Sequence, residues 1–180
     1  FGGSKVIDGH PALQTLKEKF PDALLTGCST AGEIAGEPVT DNSLVITYVA
    51  FEKTKVLGHT VHIENAENSA KAGEELLTKF DQKDLKHVFV LSDGLNVNGT
   101  SLVKGMRKAL PEKVAITGGL AGDGPDFKRT YVINSQGEIQ DKIITAVGFY
   151  NVDLQVGYGS LGGWDSFGLD RLVTKSKGNV

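Results

Sequence analysis

No run of about 18 apolar residues occurs anywhere in the 180-residue chain, so a membrane-spanning helix is not expected and neither is direct membrane insertion. The N-terminus also lacks the charged-then-apolar pattern of a secretory signal. A single cysteine, Cys28, excludes an intramolecular disulfide framework and fits a reducing compartment, which makes the cytoplasm the expected location. Neither sign of charge dominates. The formal net charge is −3, and acids and bases are scattered, so no electrostatic footprint for nucleic acid or an anionic surface exists. Nucleotide motifs are missing too. There is no G-x-G-x-x-G, and although Gly27 and Gly32 have P-loop spacing, Glu33 and Ile34 stand where Lys and Ser or Thr are needed. A carboxylate at that point repels phosphate. Ser29 lacks the G-x-S-x-G elbow of a hydrolase. The four histidines are His10, His59, His62 and His87, of which His59 and His62 fall on opposite faces of a strand and make poor joint metal ligands.

What is present reads as an α/β chain long enough to bury a core without staples. Pro11 to Phe20 has helical spacing through Leu13, Leu16 and Phe20, with Pro11 in the first turn. Ala23 to Cys28 reads as a strand. Asn42 to Phe51 and Lys55 to Ile63 read as two arms of a hairpin about Glu52-Lys53-Thr54. Leu57, His59, Val61 and Ile63 share one face of the second arm. Asn65 to Phe80 is helical, Val88 to Leu91 is a short apolar strand, and Thr100 to Leu110 is a helix with Thr100 or Ser101 as cap. Asn98-Gly99-Thr100 matches a glycosylation sequon but reads as the start of that helix. Val114 to Thr117 is a strand, Tyr131 to Asn134 and Glu138 to Phe149 form a hairpin around Ser135-Gln136-Gly137, and Leu154 to Tyr158 adds a strand.

The chain also matches itself. An ungapped shift of 90 positions lays Phe20-Pro21-Asp22 on Leu110-Pro111-Glu112 and Ala31-Gly32-Glu33 on Ala121-Gly122-Asp123. In both halves the order is helix, proline turn, short strand, glycine loop ending in an acid, hairpin. The fold expected is a mixed β-sheet covered by helices, internally duplicated from strand–helix–strand–hairpin units. The units span about 1–64 and 87–160 and are joined by helix 65–80. The same shift lays Phe1 on Leu91, which predicts a strand ahead of Phe1 as counterpart of Val88 to Leu91. A start without methionine and a stop at Val180 soon after a strand-like pattern are those of a larger parent protein.

In such sheets ligands sit beyond the strand ends, where loops of adjacent units converge. The first loop, Gly27-Cys28-Ser29-Thr30-Ala31-Gly32-Glu33, offers backbone amides and hydroxyls to a ligand carboxylate and Glu33 to its ammonium. The same residues also serve as ordinary turn chemistry. The second loop, Gly118-Gly119-Leu120-Ala121-Gly122-Asp123-Gly124, keeps the acid and lacks the hydroxyls. Between the repeats, Asp93, Asn96 and Asn98 in Ser92-Asp93-Gly94-Leu95-Asn96-Val97-Asn98-Gly99 offer donors and acceptors, or act as turn residues. No catalytic residue and no cofactor are expected. The alternatives are an enzyme using Cys28 as nucleophile or the Glu33 and Asp123 carboxylates, and a haem protein with His59 as ligand.

Gly27-Cys28-Ser29-Thr30-Ala31-Gly32-Glu33-Ile34 resembles the signature of FIST domains. The Ser92 to Gly99 and Gly118 to Gly124 runs follow in that family's order, and the likeness covers nearly the whole chain. Residues 1–160 then resemble the N-terminal FIST domain, and 161–180, with Gly168 through Thr174 and Gly178-Asn179-Val180, the start of the C-terminal portion. The resemblance implies a sensory domain of signal-transduction proteins that works alone or beside a histidine kinase, diguanylate cyclase or methyl-accepting module. It also implies a small polar ligand such as an amino acid. Some relatives are similar to haem-based nitric-oxide sensors, though no residue matched here carries over as a haem ligand.

Overall fold

The computed structural model describes residues 1–159, 161–163 and 165–175. Helices and a mixed sheet of parallel and antiparallel strands make it an α/β fold. Strand β1 (Gly2–Gly3) runs straight into the short α1 (Ser4–Ile7), followed by α2 (Pro11–Lys19). Pro11 suits the first turn of α2 because its missing N–H has no partner to lose there, and His10 Nδ1 accepts from the Ala12 N–H. Next come β2 (Ser29–Thr30), a small hairpin of β3 (Glu33–Ile34) and β4 (Val39–Thr40), and β5 (Lys55–His62). A 3₁₀ turn, Ala66–Asn68, leads into α3 (Ser69–Thr78), then β6 (Leu85–Ser92), α4 (Gly99–Ala109) and β7 (Ala115–Leu120). The chain returns through β8 (Val132–Ile133), β9 (Ile139–Gln140) and β10 (Ile143–Tyr150).

The main sheet has the order β5–β10–β6–β7. β6 and β7 are parallel because α4 crosses between them, while β10 is antiparallel to both β5 and β6. Central β6 and β10 are mostly apolar, as strands covered on both sides tend to be, with His87, Ser92 and Thr145 as buried polar exceptions. Helices α3 and α4 cover one face with Leu76, Leu77, Leu102 and Met106 over Val88, Val90, Ile144 and Ala146. Fully burying each such side chain contributes about 1.5–3 kcal/mol. On the other face Leu91 and Ile143 meet Cys28, Ala121 and Val132. A third cluster joins Ile7 and Leu13 of the first half to Tyr131 and Ile133 of the second.

Five local expectations fail in whole or in part. β5 forms, but its partner is β10, from Lys55 opposite Tyr150 to His62 opposite Ile143, and not residues 42–51. The distant strand offers eight paired residues and a buried face, which outweighs local closure about Glu52-Lys53-Thr54. Residues 23–28 run irregularly, with only Cys28 bridged to Val132, and 154–158 join no sheet. The cap of α4 is Asn98, whose Oδ1 accepts from the Ser101 N–H at 3.0 Å, so the sequon does begin a helix. The hairpin around Ser135-Gln136-Gly137 forms, but its second arm breaks at Lys142 (φ 52) into β9 and β10. The halves are unequal. β1–α2–β2 has two register pairs and β6–α4–β7 has six. Within 161–175 the described residues form neither helix nor strand, and Gly178, Asn179 and Val180 lie outside the described residues. Among the described residues, no helix is long and apolar enough to cross a membrane.

Loss of the α4 cap gives a first testable outcome. Asn98→Ala is expected to cost about 1 kcal/mol, read as a shift in the urea midpoint without a change in slope.

Candidate functional site

The first glycine loop divides into a buried foundation and an exposed rim. Gly27, Cys28 and Ser29 lie in the foundation. Ser29 exchanges bonds with Tyr131, its N–H donating to the Tyr131 carbonyl at 2.8 Å and its Oγ accepting from the Tyr131 N–H at 2.9 Å. Gly27 faces Ile133, where an added Cβ would sit 3.2 Å from Cδ1. Burial pushes the Cys28 thiol up to about 11, against the smaller opposing pull of the N-terminal ammonium. At pH 8 such a thiol is only about one part in a thousand thiolate. Iodoacetamide should therefore label native Cys28 at least about 100-fold more slowly than the urea-unfolded chain. Equal rates would favour the nucleophile reading.

Thr30, Ala31, Gly32 and Glu33 form the rim, and the second loop meets them there. The Gly122 N–H donates to the Ser29 carbonyl at 2.8 Å. A Cβ on Gly122 would lie 3.0 Å from the Ala31 nitrogen, so the two loops are in close backbone contact and a larger residue would have to push them slightly apart. Above this contact opens a cavity of about 340 Å³, lined from one side by Thr30 to Glu33, Asp41 and Asn42 and from the other by Asp123 to Asp126. Gly3, Ser4 and Lys5 complete the lining. The shift-related acids Glu33 and Asp123 thus share one cavity.

Their oxygens, however, are already engaged. Glu33, 3 % exposed, accepts from the Thr30 hydroxyl and from the Ser43 N–H and hydroxyl at 3.1 and 2.7 Å. Burial alone would raise its pKa, but those bonds prevail and hold it below the usual carboxylate value. Asp123 is lowered first by the Ser4 hydroxyl, then by the Arg129 and Lys128 N–H groups at 2.9 and 2.6 Å. Each acid ties its own loop while leaving its negative charge at the cavity wall. Asp41, exposed at the rim, makes no hydrogen bond or ion pair with the other described residues. Asp126 pairs with Lys5 at 2.7 Å. Four carboxylates, Glu33, Asp41, Asp123 and Asp126, therefore face a single lysine, and the cavity favours a cation.

The remaining expected site residues lie elsewhere. Asp93 is buried beside the end of β6. Its Oδ1 accepts from the Leu95 and Asn96 N–H groups and the Asn96 amide, and its Oδ2 from Thr130 Oγ1 and the Lys142 N–H. Asn96 and Asn98 thus serve as turn and cap residues. Gly118 and Gly119 line a separate apolar groove of about 290 Å³ between α4 and β7. Gly118, at φ +148, packs against the Val90 backbone, where a Cβ would fall 2.7 Å from the carbonyl carbon. Sequence reasoning missed Lys5, Asp41, Asn42 and Asp126. The Asp-Asn and Asp-Gly-Pro-Asp runs were the available signal, since such turn residues recur where loops gather.

His59 stands edge-on to Phe80, ring centroids 4.7 Å apart, and lines neither of these two cavities. His87 Nε2 is engaged with Thr117 Oγ1 at 2.8 Å. Among the described residues no three His, Cys, Asp or Glu side chains gather to hold a metal ion.

Compared with known protein families, the chain matches the FIST N domain over residues 1–180. No curated protein matches it at a significant level.

Proposed function

Because this chain belongs to the FIST family, whose members are sensory domains of signalling proteins, we propose that it binds a small amine-bearing ligand, in the first instance an amino acid. The ligand sits between the two glycine loops and is reported to an output module such as a histidine kinase or diguanylate cyclase. The observation that carries this reading is the cavity's charge. Four carboxylates and one lysine surround a volume of about 340 Å³, near the lower end of the range for small-molecule sites. Asp41 and Asp126 are the partners for the ammonium, and the loop backbone at Ala31, Gly32 and Gly124 faces the carboxylate. This reassigns the ammonium contact from Glu33 to Asp41 and Asp126. Binding without chemistry fits a protonated, buried Cys28 and two acids committed to their own loops.

Thermal-shift measurements with the twenty amino acids and their decarboxylated amines test the reading. A ligand at 100 times its Kd stabilises by about 2.7 kcal/mol, or roughly 5–10 °C for a chain of this length. Asp41→Asn with Asp126→Asn should abolish most of that shift while leaving the ligand-free melting point nearly unchanged, since an exposed ion pair such as Lys5–Asp126 contributes little. If no amine shifts the wild type, or if the double variant responds equally, the reading fails.

A further inference from the structure

The cavity between the two loops already contains a primary alkylamine, the side chain of Lys5. Its Nζ lies 2.7 Å from Asp126 Oδ2, although the side chain is 76 % exposed. Lys5 is the second residue of α1, and the backbone on either side of it is fixed. Gly2 and Gly3 pair with Ser29 and Thr30, and Ile7 is fully buried. The flexible four-carbon stem is therefore the part of Lys5 free to move. Its departure leaves α1 tied to the second loop, because the Ser4 hydroxyl still bonds to Asp123.

The carboxylates of the cavity wall differ in what they can exchange. Glu33 and Asp123 are held by hydroxyl and N–H donors of their own surroundings, and a ligand would have to break those bonds to use them fully. Asp126 is bound instead by a side chain that is mostly in water. The hydrogen bond to Asp126, and then its charge, push the pKa of Lys5 up; burial opposes them, and the Asp123 charge adds the least. An exposed ion pair of this kind is favoured by a factor of only about two to five, since both partners lose rotamer freedom and water screens the charges. A free ammonium ion in solution can make the same contact.

Resting on the amine-site reading above, we propose that Lys5 is the resident occupant of the ammonium position at Asp126, which a ligand takes by displacing it. The exchange replaces one charge-assisted N–H to carboxylate contact with another, so Asp126 is never left unpaired. The freed Lys5 ammonium turns to solvent, where most of its side chain already lies. A ligand that needs Asp126 open has its apparent affinity lowered by the fraction of molecules in which Lys5 is released. Lys5 thus sets the concentration at which the site responds, and it selects against amines that reach Asp126 alone. An amine that also reaches Asp41 gains a contact that Lys5 does not make.

The probe is n-butylamine, which is the Lys5 side chain without its backbone. Titrated into the whole chain and into Lys5→Gln, with amide shifts as the readout, it should bind the variant about two- to fivefold more tightly. Lys5→Arg keeps a cation beside Asp126 and should show no gain. In the wild type the Lys5 Cε resonance, identified by its loss in Lys5→Gln, should move with the same midpoint as the Ala31 and Asp126 amides, and that of Lys71 on α3 should stay fixed. Equal affinities of wild type and Lys5→Gln overturn this proposal alone. A tighter variant with an unmoved wild-type Lys5 resonance overturns it too, because that pattern is charge repulsion without displacement. No saturable shift in either chain overturns the amine-site reading and the proposal together. If Lys5→Gln does not fold, the Lys5 resonance, assigned in the wild type, decides the matter.

Discussion

Asp93→Ala is expected to lower the stability of the chain by about 3–5 kcal/mol, seen as a fall of roughly 10 °C or more in melting temperature. The side chain is 1 % exposed, and its two oxygens hold the Leu95 and Asn96 N–H groups, the Asn96 amide, the Thr130 hydroxyl and the Lys142 N–H. Removing it strands these donors together at the end of β6. Asp93→Asn separates charge from shape. Either orientation of the amide turns an NH₂ toward donors, so about 2 kcal/mol should still be lost. Burial pushes the Asp93 carboxyl up, but the N–H groups of Asn96, Lys142 and Leu95 and the Thr130 hydroxyl outweigh it and hold the group below its ordinary value. A carboxylate lowered in this way binds protons more readily unfolded than folded. Its stabilisation is complete above the unfolded pKa of about 4 and is lost as pH falls through the lower, folded value. Glu33 and Asp123 act in the same sense. Acid titration of the urea midpoint below about pH 5 should be steep in the wild type and shallower in Asp93→Asn, and equal slopes would contradict the assigned hydrogen bonds.

Gly105→Ala should cost about 2–3 kcal/mol, against the usual helical trend. In an open helix the exchange gains about 1 kcal/mol, since alanine loses less backbone entropy. Gly105 instead sits where α4 crosses α3. A Cβ there would lie 2.7 Å from the Ala70 carbonyl carbon and closer still to its oxygen. The obstacle is backbone and cannot rotate away, so the two helices must move apart and loosen Leu102 and Met106 over the sheet. Gly99→Ala is the internal control, because its Cβ would meet only Leu120 methyls at 3.9 Å or beyond. Urea titration of both variants should show Gly99→Ala neutral or stabilising and Gly105→Ala destabilised. If Gly105→Ala is neutral, the close helix crossing is wrong.

How far the sequence revealed this arrangement depends on the range of the interactions that decide it. α2, α3 and α4 were legible because their apolar stripes repeat with the helical period and point to one core face. β6 was legible as a continuous apolar run. The partner of β5 was not, since Lys55–His62 and Ile143–Tyr150 lie some 90 residues apart in sequence and local periodicity says nothing about pairing at that distance. In the site, the acid after Ala-Gly marked two loops that meet in space, and Glu33 and Asp123 do line one cavity. What the spacing could not show is the local competition for those acids. Ser43 and Thr30 saturate Glu33, as the Lys128 and Arg129 N–H groups do Asp123, and nothing in the spacing of the first loop identifies Ser43. Gly118 and Gly119 belong to strand β7 because Gly118 can approach Val90 as no larger residue can. Asp41 and Asp126 appear only once the loops are placed in space.

The central claim is that an amine-bearing ligand binds between the two loops, and an amide chemical-shift titration with the best amine from the thermal-shift series tests it most directly. The claim predicts that the resonances of Thr30, Ala31, Gly32, Gly124 and Asp126 move together and saturate, while those of Gly118 and Gly119 in the α4–β7 groove stay fixed. Saturable shifts confined to that groove, or none at either place, would contradict it.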